Sequence, residues 1–562
     1  MRSILGINSF SHDTAACLLV DGALVAFSEQ ERFNRERHTK AFPHDAIEHC
    51  LETACIDIGD VDVVAFAHRA DRDFVRGARD ALARRAPKRL AVQAYVDANL
   101  TRKELEFRRR WRYRGRIARV EHHLAHAASA FFASPFDEAA VLTMDRGGDF
   151  LSTTLSSGTG NQMRRLAYVR NPDSLGEVYS AVTWFLGFHV NADEGKTMGL
   201  APYGRDRYVD ALRDLVHLDD DEGLFHLNMD WFVYDREGGW FSQRFFDEFG
   251  APRVPESEIT SRDEDLAFGV QVVIEEAALH VARRLRALVD SPNLCLSGGL
   301  ALNSVVNSRL LHEAGFDHVF VQPAASDAGN ALGAALCVWH QRLGQPRGWQ
   351  MRHASWGPEF GATECSAALE ASRLCARRVD DPAACAAALL AAGKVVGWFQ
   401  GRAEFGPRAL GHRSILADPR RPDMKDIVNA RVKRREAFRP FAPSVLHERG
   451  PEYFDDYTPN EYMLLVESVR PSMRDTIPAV THVDGTARLQ SVDRDADPMF
   501  RALLEEFDRL TGVPVVLNTS FNLRGEPIVL RPKEGVNDFL RSEMDALVLG
   551  PFVVDKREAA AP

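Results

Sequence analysis

Short apolar runs separated by polar turns shape the first 30 residues. Residues 4–7, 15–20 and 23–27 are almost wholly apolar, and Asp21-Gly22 lies between the last two runs. Asp-Gly between apolar runs is a strong β-hairpin signal, because both residues tolerate the positive φ angles of a tight turn. The pattern therefore predicts three short strands, with a hairpin joining the second to the third.

A similar unit recurs later in the chain. The apolar run 139–144 ends in the polar, Gly-containing turn Asp145–Asp149, and residues 150–155 read as another strand. Two such units predict a duplicated α/β domain whose halves face each other. A cleft between two such halves is a common place for a ligand.

Longer periodic segments complete the predicted organisation. Apolar residues recur at helical spacing over 265–289, which predicts a long helix. The other predicted elements are strands at 294–296, 394–399 and 514–517, and helices starting near 301 and covering 330–343 and 385–393. Between 344 and 361 the chain is irregular and rich in Gly, Pro and Trp, which predicts a domain boundary. We therefore expect one domain over 1–350 and a second α/β domain over 362–562.

Composition narrows the class of protein. The chain has 562 residues, of which 45% are hydrophobic and 27% charged, with a net charge of -11. At about 150 residues per domain it allows roughly three or four domains, or two or three if one is large. It lacks an apolar run of the about 20 residues that cross a bilayer, and its first residues lead at once to polar Asn8 and His12, unlike a signal peptide. We therefore expect a soluble cytoplasmic protein without a membrane partner. Its acidic net charge argues against a nucleic-acid partner as well.

Cysteine usage and one basic stretch add little. The eight cysteines form no CxxC motif, which favours buried reduced thiols over disulfides or a zinc ribbon. Residues 72–119 are locally basic with interleaved aromatic residues. An RNA or anion site is one interpretation of this stretch, but a solvated helix face is preferred because a charge run alone has little specificity.

Two histidines and two aspartates form a candidate metal site. His122 and His126 lie four residues apart in a segment that predicts a helix, so their imidazoles project from one face. Asp145 ends the next predicted strand, and Asp327 lies in a turn before a helix. If the four converge, they offer a mixed nitrogen and oxygen site suited to Fe, Zn or Mn. The alternative is a pair of polar histidines on a helix surface.

A rare lysine marks a second candidate. Gly195-Lys196-Thr197 resembles the end of a P-loop, but Val190 stands where that motif needs Gly, so we reject a P-loop. The segment Glu194–Gly204 predicts a tight loop, and only nine of the 69 cationic residues are Lys. Lys196 is therefore a candidate cofactor-binding residue, with a purely structural turn as the alternative.

The turn Ser297-Gly298-Gly299, between a predicted strand and helix, is a candidate phosphate site. Exposed backbone amides and a helix N-terminus favour an anion, and Asn303 offers a further donor. The actin-like superfamily of sugar kinases and heat-shock ATPases uses a similar turn for adenosine and phosphate, and the duplicated hairpins also resemble that superfamily.

The second domain holds the densest group of cationic residues. Six of them alternate with Gly and Pro in residues 401–414 and 432–444: Arg402, Arg408, Arg413, Lys433, Arg435 and Arg439. Such residues in stiff turns suit phosphate or carboxylate recognition. Asn518, Ser520 and Asn522 follow a predicted strand and offer neutral hydrogen bonds to the same ligand. A solvated basic surface, the alternative, would not need these prolines and glycines.

Together these residues resemble the O-carbamoyltransferases related to nodulation protein U, cephalosporin carbamoyltransferase and tobramycin carbamoyltransferase. The resemblance runs in order through nearly the whole chain, which makes it far more specific than any one motif. Its motifs are Gly6-Ile7 with Ser11-His12-Asp13, Glu31-Arg32-Phe33, and residues 122–126, 144–149, 194–204, 298–303, 326–335, 406–414, 432–446, 484–490 and 517–527.

The resemblance implies a duplicated actin-like (ASKHA-type) domain, akin to the tRNA threonylcarbamoyl-transfer enzyme, followed by a YrdC-like α/β domain. It implies that the YrdC-like domain forms carbamoyl-adenylate from carbamoyl phosphate and ATP, with Mg accompanying the ATP. The residues that match its motifs are Lys433 with Arg435, Ser520 with Asn522, and Arg408, Arg439 and Arg488.

By the same resemblance, the actin-like domain binds the adenylate at Gly298–Asn303 and transfers the carbamoyl group to an acceptor hydroxyl. His12 is implied as the general base. A divalent metal, Fe by the resemblance with Zn or Mn as alternatives, is implied at His122, His126, Asp145 and Asp327.

Two positions depart from the family pattern. Arg146 follows Asp145 where the family usually has Gly, and Arg37 stands where it has Lys. The main hypothesis is an ATP-dependent O-carbamoyltransferase that modifies a hydroxyl of a small antibiotic-type metabolite. The alternatives are a tRNA threonylcarbamoyl enzyme and a nucleotide-binding regulatory protein without turnover. The resemblance also allows a homodimer.

Overall fold

The computed structural model describes the chain in six stretches: residues 2–9, 12–69, 87–220, 224–234, 239–495 and 497–556. The chain forms two compact α/β units. Unit 1 comprises Met1–Gln30 and His38–Met351, and unit 2 comprises Glu31–Arg37 and Arg352–Pro562. Part of the predicted basic segment 72–119, up to position 86, lies outside the described residues. Its later part contains the helix Pro87–Arg110.

Unit 1 begins with a five-stranded sheet. Its strands are β1 Ser3–Asn8, β2 Ala15–Val20, β3 Ala23–Glu29, β4 Val63–Phe66 and β5 Arg116–Arg119. The order is β3-β2-β1-β4-β5, with β1, β2 and β3 antiparallel and β1, β4 and β5 parallel. The predicted hairpin is confirmed, since Asp21 and Gly22 join β2 to β3 with φ angles of 48° and 85°.

A second sheet repeats this topology. The next strands are β6 Glu138–Gly148, β7 Leu151–Thr159, β8 Gln162–Arg170, β9 Val216–Asp219, β10 Leu224–Leu227, β11 Asn293–Ser297 and β12 His318–Val321. Strands β9 and β10 form a separate hairpin, and the others form a sheet of order β8-β7-β6-β11-β12. Its first three strands are antiparallel, and β6, β11 and β12 are parallel. The predicted duplication is therefore confirmed in the strand order.

Two short helices made largely of small residues pack against each other in unit 1. They are His122–Phe131 and Asn330–Cys337, and nearly all their side chains are buried. A Cβ atom on Gly333 would lie 1.8 Å from the carbonyl oxygen of Ala125, so only Gly permits this approach. The close packing brings the histidines of the first helix against the turn that precedes the second.

The remaining longer helices of unit 1 are His44–Ala54, Leu175–Phe185, Glu194–Leu200, Gln243–Phe249, Ser261–Leu288 and Ser304–Glu313. The predicted helix at 265–289 is confirmed, and it starts at Ser261 because the Thr260 amide donates to Asp263 Oδ2 at 2.9 Å. The predicted tight loop at Glu194–Gly204 is wrong, since Glu194–Leu200 is helical and a 3₁₀ turn follows. Among the helices that the structure describes, none is long and apolar enough to cross a membrane.

Unit 2 is built on one mixed eight-stranded sheet of order β13-β22-β21-β14-β15-β20-β16-β19. The strands of unit 2 are β13 Arg377–Arg378, β14 Val396–Phe399, β15 Arg413–Ala417, β16 Ala442–Leu446, β17 Glu467–Ser468, β18 Thr486–Ala487, β19 Gln490–Val492, β20 Val515–Ser520, β21 Ala546–Leu549 and β22 Phe552–Asp555. Strands β17 and β18 pair separately. The main helices are Ala362–Ala371, Pro382–Ala391, Pro498–Thr511 and Pro532–Arg541.

Apolar side chains cover both faces of this sheet. Successive residues of a strand point to opposite faces, so Trp398 and Phe399 of β14 enter two different cores. The Trp398 core includes residues of Pro382–Ala391 and Pro498–Thr511, and the Phe399 core includes residues of Pro532–Arg541. Burial on both faces explains why β14 reads as a continuous apolar run.

A seven-residue segment from early in the chain belongs to unit 2. Arg32 donates to the carbonyl of Gly406 at 2.6 Å, and Arg35 donates to the carbonyls of Pro527 and Ile528 at 2.7 and 2.6 Å. Arg35 also lies 3.5 Å from Glu534. Residues 31–37 are thus held by guanidinium contacts to unit 2, an arrangement that the sequence did not predict.

Candidate functional site

The four predicted metal ligands converge in unit 1. His122 and His126 lie on consecutive turns of the helix that starts at His122, Asp145 is in β6, and Asp327 opens the 3₁₀ turn before Asn330–Cys337. All four side chains are buried, and one ligand atom from each lies within 4.8 Å of the other three. The structure therefore brings together the quartet that the sequence could only assume to converge.

The distances fit a bound divalent cation. His122 Nε2 lies 3.1 Å from His126 Nε2, 3.3 Å from Asp145 Oδ2 and 3.5 Å from Asp327 Oδ1, and His126 Nε2 lies 3.5 Å from Asp327 Oδ1. Ligand atoms held about 2.1 Å from one ion lie about 3 to 3.5 Å apart. Two imidazole nitrogens and two carboxylates suit Fe, Zn or Mn.

The neighbours of the quartet fix its orientation. The Gly299 amide donates to Asp145 Oδ1 at 2.8 Å, and His126 Nδ1 lies 3.2 Å from Ser297 Oγ. Burial by itself would lower the pKa of His122, but the Asp327 and Asp145 carboxylates outweigh it and raise that pKa to about 9. Asp145 in turn has its pKa held well below its usual range by the two histidines, despite its burial. The two buried carboxylates therefore favour a positive charge in this pocket.

The glycine turn supports the quartet. Gly298 has a φ angle of 95°, and a Cβ atom there would lie 2.2 Å from the Met144 carbonyl oxygen, so the turn packs directly on β6. Asn303 caps the helix Ser304–Glu313 by accepting from the Val306 amide at 3.2 Å, and its amide donates to Gln271 at 3.0 Å. The Gly299 amide is engaged with a metal-ligand candidate, so adenylate binding by this turn stays a prediction.

Lys196 is buried in the helix Glu194–Leu200. Its ammonium lies 3.1 Å from Asp193 Oδ2 and 5.3 Å from the centre of the Phe188 ring. Arg146, the residue that departs from the family pattern, donates to both carboxylate oxygens of Glu177 and to Asn191 Oδ1, the latter at 3.0 Å. Both cations have carboxylate partners, so the positive charge of each is compensated.

His12 lies in the turn between β1 and β2. Its Nδ1 is 3.3 Å from Asp13 Oδ2, and Asp13 Oδ1 is 2.7 Å from His38 Nδ1. Burial alone would lower the pKa of His12, but Asp13, Asp327 and Asp145 raise it to about 9, so His12 is within electrostatic reach of the metal quartet. Sequence reasoning missed Asp13 and His38 as functional candidates, although both fall in or beside the matched motifs.

Lys433 is the centre of the cationic site in unit 2. Its ammonium donates to the carbonyls of Ser520 and Asn522 at 2.8 Å each, to Asn522 Oδ1 at 2.6 Å and to Ser520 Oγ at 3.3 Å. Ser520 Oγ donates to Asn522 Oδ1 at 2.7 Å. The structure thus brings together the lysine, serine and asparagine that the sequence placed in separate motifs.

Four arginines form a cationic cluster with this lysine, and the carboxylates of Asp538 and Glu436 offset part of its charge. Burial first, and then the Arg435 and Arg439 charges, push the pKa of Lys433 well below its usual range. Burial and Arg439 lower the pKa of Arg408 to about 10, and burial with Arg408, Arg435 and Arg439 lowers that of Arg488. Arg488 Nε has no hydrogen-bond partner among the described residues. Mutual repulsion of this kind indicates a site for a polyanion.

Other predicted residues of unit 2 serve the fold. Asn518 is buried, and its amide donates to Ser444 Oγ and Gln490 Oε1 at 3.0 Å each, which ties β20 to β16 and β19. The guanidinium groups of Arg402 and Arg413 donate to backbone carbonyls. The guanidinium carbon of Arg413 also lies 3.6 Å from the centre of the Phe399 ring. The guanidinium groups of these two arginines are therefore engaged by backbone carbonyls and not by the residues that hold Lys433.

Comparison with known proteins decides the family. Residues 3–336 match the family described as Carbamoyltransferase N-terminus, and residues 387–556 match Carbamoyltransferase C-terminus. The chain belongs to the carbamoyltransferase family. It is an O-carbamoyltransferase, as the sequence predicts.

Relatives in several organisms extend over most of this carbamoyltransferase. The chain is 40% identical to nodulation protein NolNO of Sinorhizobium fredii, with 98% of this chain and 80% of that protein covered. It is 32% identical to nodulation protein U of the same species, with 92% and 93% covered. It is 43% identical to protein sll1178 of Synechocystis, with 99% and 97% covered.

Solved structures resemble parts of the carbamoyltransferase only weakly. ROK hexokinase from Thermus thermophilus has a TM-score of 0.29 and 16% identity, with 60% of this chain and 98% of that chain covered. Full-length HypF in its phosphate- and nucleotide-bound form has a TM-score of 0.31 and 13% identity, with 62% and 56% covered.

Proposed function

We propose that the enzyme transfers a carbamoyl group in two ATP-dependent steps. Unit 2, as a YrdC-like domain, forms carbamoyl-adenylate from carbamoyl phosphate and ATP. Unit 1, as an actin-like domain, passes the carbamoyl group to a hydroxyl of a small metabolite. The observation that carries the proposal is the cluster of Lys433, Arg408, Arg435, Arg439 and Arg488, whose charges repel one another and call for a polyanion.

The first step consumes one water molecule. Water cleaves carbamoyl phosphate to carbamate and phosphate, and a carbamate oxygen attacks the α-phosphorus of ATP as pyrophosphate leaves. Developing negative charge on the phosphates is stabilised by Lys433 and by the guanidinium groups of Arg435 and Arg488. Because Lys433 and Arg435 are already held in place by Ser520, Asn522 and a neighbouring carbonyl, little reorganisation of these two groups is needed.

In the second step the acceptor oxygen attacks the carbamoyl carbon, and AMP leaves. In its neutral form, which a pKa of about 9 makes the minor form at pH 7, His12 takes the hydroxyl proton at Nε2, since its Nδ1 faces Asp13. A divalent metal held by His122, His126, Asp145 and Asp327 would neutralise negative charge on a phosphate leaving group when bound. The net charge of -11 favours a small acceptor over a nucleic acid, and eight unpaired cysteines suit the reducing cytoplasm.

Pyrophosphate release tests the first step. The purified full-length protein is incubated with ATP and Mg²⁺, with and without carbamoyl phosphate. We expect pyrophosphate only in the presence of carbamoyl phosphate, loss of that signal in Lys433→Ala, and retention in the control Lys533→Ala, whose side chain is exposed. The proposal would be contradicted by pyrophosphate release that does not depend on carbamoyl phosphate, or by release that Lys433→Ala retains.

A further inference from the structure

The carboxylate of Asp13 lies between two imidazoles. Asp13 Oδ2 is 3.3 Å from His12 Nδ1, and Asp13 Oδ1 is 2.7 Å from His38 Nδ1. The two rings are nearly perpendicular, at 86°, with centres 6.4 Å apart. One carboxylate therefore hydrogen-bonds to His38 through Oδ1 and lies at ion-pair distance from His12 through Oδ2.

The backbone has an unfavourable conformation at both Asp13 and His38, the two residues that form the 2.7 Å contact. Asp13 has a φ angle of 51° and His38 a φ angle of 54°, both in the left-handed region that favours Gly. A residue other than Gly in this conformation is energetically unfavourable and persists only where its surroundings enforce it. Asn8 provides that enforcement at Asp13, because its side-chain amide donates to the Asp13 carbonyl at 3.1 Å and to the His12 carbonyl at 3.4 Å.

The carboxylate is buried and ionised. Side-chain exposure is 11% for Asp13, against 24% for His12 and 28% for His38. Burial would raise the pKa of Asp13, but its two histidine partners outweigh burial and hold that pKa below its usual range. An ionised carboxylate accepts only, so the ring nitrogen that faces it is the protonated one.

We propose that Asp13 and His38 are positioning residues for His12, with Asp13 holding His12 in the Nδ1–H tautomer and His38 holding the Asp13 carboxylate in place. The inference rests on the proposed role of His12 in the transfer step. With Nδ1 protonated, Nε2 carries the lone pair that accepts the acceptor's hydroxyl proton, while the acceptor oxygen bonds to the carbamoyl carbon and the bond from that carbon to the AMP oxygen breaks.

His38 acts through geometry, not by touching the substrate. If His38 is removed, Oδ1 of Asp13 loses its 2.7 Å partner and the carboxylate is free to rotate away from the longer 3.3 Å contact with His12. His12 then samples both tautomers, and the Nε2–H form cannot accept a proton at the atom that faces away from Asp13. Loss of Asp13 has the same effect directly.

The tautomer of His12 is measured by NMR on the full-length protein labelled with ¹⁵N-histidine. The His12 signals are assigned by their loss in His12→Gln. At a pH above the His12 pKa of about 9, where the ring is neutral, we expect the Nδ1–H tautomer in the wild type and a mixture or the opposite tautomer in Asp13→Asn and in His38→Gln. His217→Gln is the matched control, because His217 also contacts an aspartate, Asp214 at 3.1 Å, but on an exposed surface. An unchanged His12 tautomer in His38→Gln overturns the proposal.

A single-turnover assay separates this inference from the proposed function. Carbamoyl-adenylate is formed on the enzyme, and its conversion to AMP is followed in water and in added methanol. We expect Asp13→Asn and His38→Gln to form pyrophosphate at the wild-type rate but to release AMP about tenfold to a hundredfold more slowly. If the wild type forms no adenylate, the proposed function fails. If it does, and both variants release AMP at the full rate, only the positioning role fails.

Discussion

Binding of ATP to the Lys433 cluster should take up protons from solution at pH 8.5, to a maximum of one from Lys433. In the unliganded protein, burial and the charges of Arg435 and Arg439 keep the pKa of Lys433 well below its usual range. Its four hydrogen-bond acceptors are neutral oxygens, 2.6 to 3.3 Å from the ammonium. A bound phosphate adds its negative charge to that of Asp538, which already favours the protonated lysine, so binding favours that form further.

The size of this effect follows from Coulomb's law. One negative charge about 4 Å from the ammonium stabilises the charged form by about 4 kcal/mol at the effective dielectric of a partly buried site. That energy corresponds to about a thousandfold increase in proton affinity. Since a single lysine is involved, the uptake cannot exceed one proton from this group.

Calorimetric titration measures the uptake directly. ATP is titrated into the protein at pH 8.5 in buffers with different ionisation enthalpies, and the slope of the observed enthalpy against that quantity gives the number of protons. At this pH the phosphates of free ATP are already ionised, since the second pKa of a phosphate is about 6. Lys433→Met should bind ATP more weakly and with a slope near zero. A slope near zero in the wild type, or proton release, would refute the reasoning.

Three further predictions concern the metal quartet, the central helices and a buried carboxylate. His122→Ala should lose its metal, measured by mass spectrometry of the purified protein, while His217→Ala retains it; equal metal content in both would count against the site. Gly333→Ala should lower the free energy of unfolding, measured in urea, by about 1 to 3 kcal/mol. In an exposed helix the same change usually raises it by about 1 kcal/mol. A gain in Gly333→Ala would show that the two helices can move apart. Burial and Glu526 raise the pKa of Asp538 to about 7, so its proton is held in the folded state over a range where the unfolded chain has lost it. The resulting destabilisation grows from about pH 4 to pH 7, so Asp538→Asn should stabilise the protein more at pH 8 than at pH 5, and thermal unfolding that shows no such difference would exclude the effect.

Local chemistry made much of unit 1 predictable. Asp21-Gly22 specifies its hairpin through its own backbone preferences, and the spacing of His122 and His126 places two imidazoles on one helix face. The convergence of Asp145 and Asp327 on them depends on long-range packing, which a single sequence does not encode in any local pattern. That packing in turn depends on Gly333, whose missing side chain gives no sign of which backbone it approaches.

The misreadings have equally physical causes. Lys196 lies in a segment predicted as a tight loop, yet the segment forms a helix that buries Lys196 beside Asp193. Arg413 was grouped with the cationic cluster by its neighbours in sequence, but its partners are the carbonyls of Gln400 and Gly401, which become its neighbours only when β14 and β15 pair. Tertiary contacts, not composition, decide what a guanidinium binds.

Segment 31–37 limits how this enzyme can be divided or recombined. The chain passes from one unit to the other at three points: after Gln30, after Arg37 and after Met351. A single exchange between related genes near position 350 would therefore join unit 2 of one parent to segment 31–37 of the other. The contacts of Arg32 with backbone carbonyls would survive that exchange wherever Arg is kept, but the pairing of Arg35 with Glu534 would need both parents to agree. An exchange of only one part of such a gene therefore puts the contact between Arg35 and Glu534 at risk.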